Sequence, residues 1–298
     1  GANGSTGSGF GIYLNYTSNG NYAYNNTIIN NGQTSIGVLL QNGVYNNFIF
    51  DNKLLSATSN RDESTYNGSA GIALLFNVYL NNIYRNNITT YNASNYGIYL
   101  TKNVYNNSIY GNNITTNNIN SSYGIYLANN VSSNSFSSNI ISSLSAGILF
   151  NGSYQSFANG DSTRFNTFTN DTIIPCSVGC SPNYADVILT SNATDIFFTN
   201  VSFNKSRIMF VPRSLDNPIE KNNLTIQYYL DINVTNSTDN NPISGAQVVI
   251  NNSFAINIFN GLTDITGSIA TQIVTDFEIN GSVQWGQNDS CTGIGSNV

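Results

Sequence analysis

Gly97 to Thr116, with the sequence GIYLTKNVYNNSIYGNNITT, is the stretch that decides the fold. It contains three short apolar segments, which begin at Gly97, Val104 and Asn112. Three strand-like pieces within about twenty residues are too short to form sheets of their own. We therefore expect each copy of the stretch to be one coil of a solenoid, whose strands pair only with the coils above and below.

The opening of this stretch recurs along the chain. Glycine followed by apolar residues stands at positions 11, 37, 71, 97, 124 and 147, so the spacings are 26, 34, 26, 27 and 23 residues. A weaker seventh copy begins at Asp186. This period is typical of a solenoid coil with variable loops, whereas a propeller blade needs about 40 residues or more.

The second halves of the coils can be aligned so that asparagine occupies two columns. With one exception, an apolar residue stands two positions after each of these asparagines, and because side chains alternate along a strand, both point to the same face. The first column holds Asn26, Asn47, Asn81, Asn107, Asn134 and Asn166. The second holds Asn31, Asn52, Asn86, Asn112 and Asn139, with Asp171 in the sixth coil and Gln33 two residues after Asn31 as an exception. The seventh coil keeps only Asp195, Phe197 and Asn200.

These columns predict two asparagine ladders. Asparagine suits a corner because it tolerates the left-handed conformation, and stacked amides hydrogen-bond from coil to coil. A buried amide without such partners would cost about 1–3 kcal/mol.

The repeats resemble the right-handed parallel β-helix family with NosD-like or pectate-lyase-like repeats, from about Phe10 to Phe210. The resemblance implies an all-β fold with a right-handed parallel β-helix of about seven coils, which we assign to residues 1–212. That family includes lyases, hydrolases, adhesins, metal-delivery proteins and inert surface proteins, so the resemblance implies no single activity.

A different pattern follows Pro212. A long strand candidate runs from Leu224 to Val234, and the segments PISGAQVVI (242–250) and GLTDITGSI (261–269) come after it. These segments resemble an Ig-like module of the carboxypeptidase-regulatory type, as in archaeal cell-surface proteins. The resemblance implies a small β-sandwich over residues 213–298, of the kind that acts as a spacer on secreted proteins.

Composition excludes some partners. Only 8% of residues are charged, the net charge is −6 and the isoelectric point is about 4.3, so no basic stripe is available for nucleic acid. Aromatic residues make up 12%, which favours a folded chain. We find no membrane span in this segment.

Sequons for N-glycosylation are the strongest chemical signal. Asn-x-Ser/Thr occurs 21 times, where chance at this composition gives about eleven. Because none of the ladder asparagines belongs to a sequon and several sequons lie next to a ladder residue, we predict that glycans decorate the outer face. The candidates are Asn15, Asn25, Asn67, Asn87, Asn92, Asn106, Asn113, Asn120, Asn130, Asn151, Asn192, Asn200, Asn204, Asn223, Asn233, Asn236, Asn251 and Asn280.

Three cysteines limit the redox and metal chemistry. Cys176 and Cys180 are close enough for a loop disulfide in an oxidising compartment. Cys291 then pairs with a neighbouring subunit or another part of the precursor, or else with one of the first two cysteines. The chain has no histidine and one methionine, so zinc and copper lack ligands and we expect no cofactor and no metal site.

The carboxylates of the solenoid are scattered rather than clustered. They are Asp51, Asp62, Glu63, Asp161, Asp171, Asp186 and Asp195. Polysaccharide-cleaving β-helices need a group of carboxylates on one wall, so we expect that the chain is not an enzyme. Tyr13, Tyr99 and Tyr126 share one column, and strict alternation favours an exposed tyrosine stripe that could contact carbohydrate.

Taken together, these features predict a non-enzymatic, N-glycosylated extracellular structural protein at the cell surface. An uncapped solenoid exposes strand edges, so we expect self-association into a filament, sheath or S-layer. A high density of sequons combined with few charged residues is typical of archaeal envelope proteins. The alternative is a single-chain adhesin or carbohydrate-binding surface protein, and a polysaccharide lyase or hydrolase is less favoured.

Overall fold

The protein is all-β. The computed structural model describes residues 8–31, 34–57, 69–91, 94–152, 162–190, 192–211, 221–252, 255–282 and 292–295. Its strands form five sheets, and the described residues contain one short 3-10 helix, Lys205–Arg207, and no α-helix. The prediction of a solenoid of parallel strands is confirmed.

The strands follow the repeats. The first coil has β1 (Ser8–Asn15), β2 (Tyr22–Tyr24) and β3 (Thr27–Asn30), and the second has β4 (Thr34–Gln41), β5 (Phe48–Phe50) and β6 (Lys53–Ala57). The third has β7 (Ser69–Leu75), β8 (Val78–Tyr79), β9 (Asn82–Tyr84) and β10 (Asn87–Tyr91). The fourth has β11 (Asn95–Thr101), β12 (Val104–Tyr105), β13 (Ser108–Tyr110) and β14 (Asn113–Asn117).

The later coils keep the same order. The fifth has β15 (Tyr123–Ala128), β16 (Val131–Ser132), β17 (Ser135–Ser137) and β18 (Ile140–Ser143). The sixth has β19 (Ala146–Asn151), β20 (Thr163–Arg164), β21 (Thr167–Thr169) and β22 (Thr172–Ile174). The seventh has β23 (Ala185–Thr190), β24 (Ala193–Thr194) and β25 (Ile196–Thr199), followed by β26 (Ile208–Val211). The C-terminal strands are β27 (Lys221–Leu230), β28 (Gln247–Asn251), β29 (Asn257–Leu262), β30 (Gln272–Ser282) and β31 (Thr292–Gly295).

Each wall of the solenoid is a parallel sheet that runs from coil to coil. The first wall has eight strands in the order β1-β4-β7-β11-β15-β19-β23-β26. Equivalent residues of successive repeats are neighbours, as when Ile98 pairs with Ile72 on one side and Ile125 on the other. The sequence shows seven repeat openings, and β26 pairs with β23 as an eighth strand of this wall.

The apolar columns form one continuous core. Ile98, Leu100, Val104, Ile109 and Ile114 are all fully buried in it, as the repeat pattern predicts. Burial of such a side chain contributes about 1.5–3 kcal/mol, so the stacked columns are the main stabilising feature of the solenoid.

The glycine at the start of each opening is required for space. A Cβ atom on Gly97 would lie 2.2 Å from Ile114 Cγ2 and 2.5 Å from the carbonyl oxygen of Gly124. The glycines at 11, 71, 124 and 147 are similarly crowded by an isoleucine and a backbone oxygen, whereas a Cβ atom on Gly37 would lie 2.5 Å from the Gly71 carbonyl oxygen but 3.6 Å from Leu54 Cβ; in the seventh coil Asp186 follows them in the column. A backbone carbonyl oxygen of the next coil therefore lies close to each of these six glycines.

Sharp corners precede each ladder position. Asn106 (φ 55°) comes before Asn107, and Gly111 (φ 62°) before Asn112. Leu80 (φ 55°) occupies the same left-handed corner one coil earlier, although it has neither the freedom of glycine nor the local hydrogen bonding of asparagine. The corner geometry is thus imposed by the stack, because residue types that do not favour it adopt it as well.

The predicted register of the first coil is wrong by one ladder position. Thr27 pairs with Lys53 and Tyr22 with Phe48, so Asn26 lies beneath Asn52, and Asn21, rather than Asn26, lies beneath Asn47. Asn31 is exposed and belongs to neither ladder. The two ladders are five residues apart in sequence, and coil one has asparagine at 21, 26 and 31, so a slip of five residues preserves the pattern.

The seventh coil is also shifted, by one residue. Phe198, not Phe197, pairs with Phe168 in the core, and β25 places Ile196 next to Asn166. Asp195 and Asn200 lie at left-handed corners. Neither of them continues a ladder.

The C-terminal strands extend the solenoid. β27 pairs in parallel with β25, and its Leu224 and Ile226 belong to the solenoid core. β30 and β31 follow in antiparallel order, and β28 with β29 forms a separate two-stranded sheet. These described strands do not make the two packed sheets of a sandwich, so the Ig-like sandwich stays a prediction. The structure has, over the part that it describes, no helix of the length and apolarity that crossing a membrane requires.

Candidate functional site

The two asparagine ladders are continuous hydrogen-bonded columns. Oδ1 of Asn107 accepts from the backbone N–H and the Nδ2 of Asn81, both at 3.0 Å, and Nδ2 of Asn107 donates to Oδ1 of Asn134 at 3.0 Å. The same Nδ2 contacts the carbonyl oxygens of Val78 and Tyr105, both at 3.1 Å. Each amide thus satisfies its own corner and the adjacent coil, which gives the ladders a structural role.

The ladders have a direction, and this explains Asp171. In each ladder Nδ2 points to the following coil, so the last member has no amide oxygen to meet. Asp171 is last in the second ladder, and Val201 follows it. Its Oδ1 accepts from Asn139 N and Nδ2 at 2.7 and 2.8 Å, and its Oδ2 accepts from Thr169 N at 3.1 Å. Burial outweighs these bonds and raises the pKa of Asp171 to about 7.

Replacing Asp171 by asparagine is expected to stabilise the protein above neutral pH. Between about pH 4 and 7 the Asp171 carboxyl is protonated in the folded chain and ionised in the unfolded chain. The free energy of unfolding therefore falls as the pH rises from about 4 to 7, and above pH 7 the folded chain carries the full cost of the buried carboxylate. Asp171→Asn is expected to raise the free energy of unfolding by about 1–3 kcal/mol at pH 8, because loss of the acceptor for the Thr169 N–H offsets part of the gain, and to give no gain at pH 4. Thermal midpoints measured at both pH values check this, with Asp231→Asn as an exposed control. Equal gains at the two pH values would contradict it.

Most predicted sequons lie on the outside. Those with exposed side chains are Asn25, Asn87, Asn106, Asn113, Asn120, Asn200, Asn204, Asn233, Asn236 and Asn251. Asn15, Asn130, Asn192 and Asn223 are partly exposed. Asn67, Asn92 and the side chain of Asn280 lie outside the described residues.

Asn151 is a correction to the predicted set. Its side chain is 5% exposed, its Nδ2 donates to the Tyr126 hydroxyl at 2.6 Å, and its Oδ1 accepts from Thr190 Oγ1 at 2.9 Å. A glycan on Nδ2 would have to displace these contacts. Asn151 is therefore not an acceptor in the folded chain.

The disulfide loop lies at the end of the solenoid. The Sγ atoms of Cys176 and Cys180 are 2.09 Å apart, and Cys291 lies outside the described residues. Arg207 Nη1 donates to the carbonyl oxygen of Cys176 at 3.1 Å, and its guanidinium lies over the Tyr184 ring. These contacts hold the loop against the last coil.

The carboxylates do not converge. Asp51 forms a bidentate pair with Arg85, with distances of 2.8 Å from Nε and 2.7 Å from Nη2. Asp186 is buried, with Oδ2 accepting from Asn204 N at 2.6 Å and Oδ1 without a hydrogen-bond partner. Among the described residues no three of His, Cys, Asp or Glu form a group that could hold a metal. Asp62, Glu63 and Asp161 lie outside them.

The predicted exposed tyrosine stripe is wrong at its centre. Tyr13 is 45% exposed, but Tyr99 is only 9% exposed because the rings of Tyr96 and Tyr126 pack against it. Burial raises the pKa of Tyr99 to about 12. This column belongs to a second apolar cluster outside the main core.

A different set of aromatic rings covers the outside of the first four coils, and we name it the aromatic face. One column is Tyr24, Phe50, Tyr84 and Tyr110, with successive ring centroids 5.1, 4.8 and 4.8 Å apart. Another is Tyr45, Tyr79 and Tyr105, with both separations 5.2 Å. Tyr22 and Phe48 stack beside the first column at 4.8 Å.

The aromatic face was missed in the sequence although its signal is present. Val-Tyr precedes the first ladder at 44–45, 78–79 and 104–105, and an apolar-aromatic pair recurs at 49–50, 83–84 and 109–110. Alternation alone places the second residue of each pair outside. In the fifth coil the columns end in Ser132 and Ser137, which pair with Tyr105 and Tyr110.

All nine rings are at least partly exposed, and Tyr22 and Tyr24 are 64% and 53% exposed. Within each column neighbouring rings are parallel to within 1–5°. Each ring turns its face to the next ring, so edges and hydroxyl groups point to solvent. The Arg85 guanidinium lies over Tyr84 and Phe50, at 4.9 and 5.9 Å from the centroids, and is neutralised by Asp51.

Comparisons with known proteins add no relative. No protein-family model, no curated protein and no solved structure matches the chain.

Proposed function

We propose that the chain is a non-enzymatic, N-glycosylated structural protein of the cell surface and a subunit of a self-associating assembly such as a filament, sheath or S-layer. The observation that carries this proposal is the aromatic face. It is a broad, regular surface of partly exposed rings with one internally neutralised ion pair. Tyrosine, phenylalanine and arginine are enriched in protein interfaces, where lysine and glutamate are depleted.

Two further observations support an extracellular setting. Ten of the predicted sequons have exposed side chains, so glycans there would not disturb the core or the ladders. The bond between Cys176 and Cys180 is of a kind that persists in oxidising compartments. Both are expected of a secreted wall-like subunit.

Ring orientation favours this proposal over a carbohydrate-binding module. Sugar rings bind aromatic side chains face to face, and here neighbouring rings within each column cover one another's faces. Only the last rings of each column keep a free face. The edge-on hydroxyl groups suit a protein partner better, because they combine apolar contact with hydrogen bonding.

Native material tests the proposal. We expect negative-stain images to show ordered multi-subunit objects, and intact mass to exceed the 32.3 kDa of this chain by several sugar units. Peptide mapping should find sugar at exposed sequons such as Asn113 and none at Asn151. Dispersed single molecules of unshifted mass would contradict both parts of the proposal.

A further inference from the structure

The aromatic face carries little charge, as does coil five, since no Asp, Glu, Lys or Arg occurs from Asn103 to Gly160. No Asp, Glu, Lys or Arg occurs before Asp51, so the first coil and most of the second are uncharged. Asp51 and Arg85 lie beside the ring columns and form an ion pair with each other. The chain as a whole carries −6, so charged surfaces of two copies repel one another, whereas contact through the aromatic face avoids this repulsion.

The spacing of the rings points to the partner. The rings repeat every 4.8–5.2 Å because they stand on adjacent parallel strands. A partner whose side chains repeat at the same interval can pack against the exposed ring edges along the whole column, as side chains do between packed β-sheets. A second copy of this chain has that repeat, whereas a single folded loop or a helix does not.

We infer that the aromatic face is the contact surface between two copies of this chain. The inference rests on the proposed function, which requires self-association, and it names the surface responsible. In a two-fold symmetric dimer the same rings of both copies are in contact. Such a contact does not depend on opposite charges on the two copies.

The available area is sufficient for a specific contact. A fully covered aromatic side chain buries about 150–250 Å², so nine partly exposed rings offer on the order of 500–700 Å². A standard interface buries about 800 Å² per partner. Leu80, which is 52% exposed at the corner between the two columns, adds apolar area in the same place.

This contact excludes a glycan from one predicted sequon. Asn106 is exposed at the corner that follows Tyr105, in the position that Leu80 holds one coil earlier. A glycan there would extend into the contact. Asn113 is also exposed but lies on β14, beyond the Gly111 corner and outside the two sheets that carry the rings. In assembled chains we therefore expect Asn106 to be free of sugar and Asn113 to carry it.

A serine variant tests the contact without disturbing the fold. Tyr79→Ser, Tyr84→Ser, Tyr105→Ser and Tyr110→Ser together give coils three and four the outer residues that coil five already has at Ser132 and Ser137. The control replaces four exposed tyrosines elsewhere, Tyr13, Tyr16, Tyr91 and Tyr229, by serine. Circular dichroism and thermal midpoints verify that both variants fold.

Sedimentation of the full chain over a range of concentrations then measures association. We expect the wild type and the control to associate alike, and the face variant to need at least a ten-fold higher concentration. Association of the face variant equal to that of the wild type would overturn the inference and leave the assembly proposal intact. A wild type that stays monomeric at every concentration would overturn the assembly proposal itself. Peptide mapping that finds sugar on Asn106 in assembled material would also overturn the inference.

Discussion

Replacing Asn107 by leucine is expected to lower the free energy of unfolding by about 2–4 kcal/mol. Leucine has nearly the same shape but cannot hydrogen-bond. The change leaves the Asn81 backbone N–H without its acceptor, and it removes the Nδ2 donor from the Val78 carbonyl oxygen and one of the two donors from Asn134 Oδ1, which keeps only the backbone N–H of residue 107. All of these groups are buried, so water cannot replace the lost partner without entering the core.

Urea denaturation followed by circular dichroism measures the effect. Asn82→Leu is the matched control, because Asn82 is partly exposed on β9 beside the ladder residue Asn81. We expect the control to change stability by no more than about 0.5 kcal/mol. A loss below about 1 kcal/mol for Asn107→Leu would mean that the ladder contributes little to stability.

An aspartate at the same position separates the two halves of the amide. Asn107→Asp keeps an acceptor for Asn81 but brings a carboxylate oxygen against Asn134 Oδ1. Asp171 escapes this conflict because Val201, which has no oxygen in its side chain, follows it. Asn107→Asp is therefore expected to be destabilising, and more so as the pH rises above neutral.

Replacing Gly97 by alanine is the second change with a large expected effect. The added methyl group would lie 2.2 Å from Ile114 Cγ2 and 2.5 Å from the Gly124 carbonyl oxygen. The backbone oxygen cannot move without breaking the pairing of β11 with β15, so the coils must separate locally. We expect a loss of about 3 kcal/mol or more, or failure to fold.

A comparison of two glycines distinguishes lack of space from backbone strain. Gly20 has φ 67° and open space around the position of a Cβ atom, so Gly20→Ala should cost about 1 kcal/mol, from the left-handed conformation alone. The double variant Gly97→Ala with Ile114→Ala removes one of the two clashes. Gly97→Ala is expected to lower the thermal midpoint less in the Ile114→Ala background than in the wild-type background, and equal losses in the two backgrounds would contradict the steric explanation.

Sequence periodicity predicted the features that repeat locally and missed those set by register. Ile98, Leu100 and Ile114 belong to columns that recur in every coil, so their burial follows from alternation. The first-coil ladder was misplaced because Asn21, Asn26 and Asn31 repeat at the distance that separates the two ladders. The mismatch at Gln33 is the one local sign of that slip.

The remaining differences arise where one residue has two possible environments. Alternation placed Tyr99 on the outside but does not show that Tyr96 and Tyr126 pack over it. In the sequence, the Asn151 sequon cannot be distinguished from the other sequons. Only the fold brings Tyr126 and Thr190 into contact with its side chain. β27 was predicted as the first strand of a new module, but in the structure it pairs with β25.

The direction of the ladders limits how such a chain can lengthen. A coil inserted between two existing coils receives an amide proton from one neighbour and gives one to the other, so internal duplication leaves the column intact. A coil added beyond Asp171 would place its amide oxygen against a side-chain oxygen of Asp171, and that amide oxygen would keep only the backbone N–H of residue 171 as a donor, as Asn134 Oδ1 accepts from Asn107 N. Asp171 thus acts as a terminator, and variation in coil number among chains built on this pattern should arise before it.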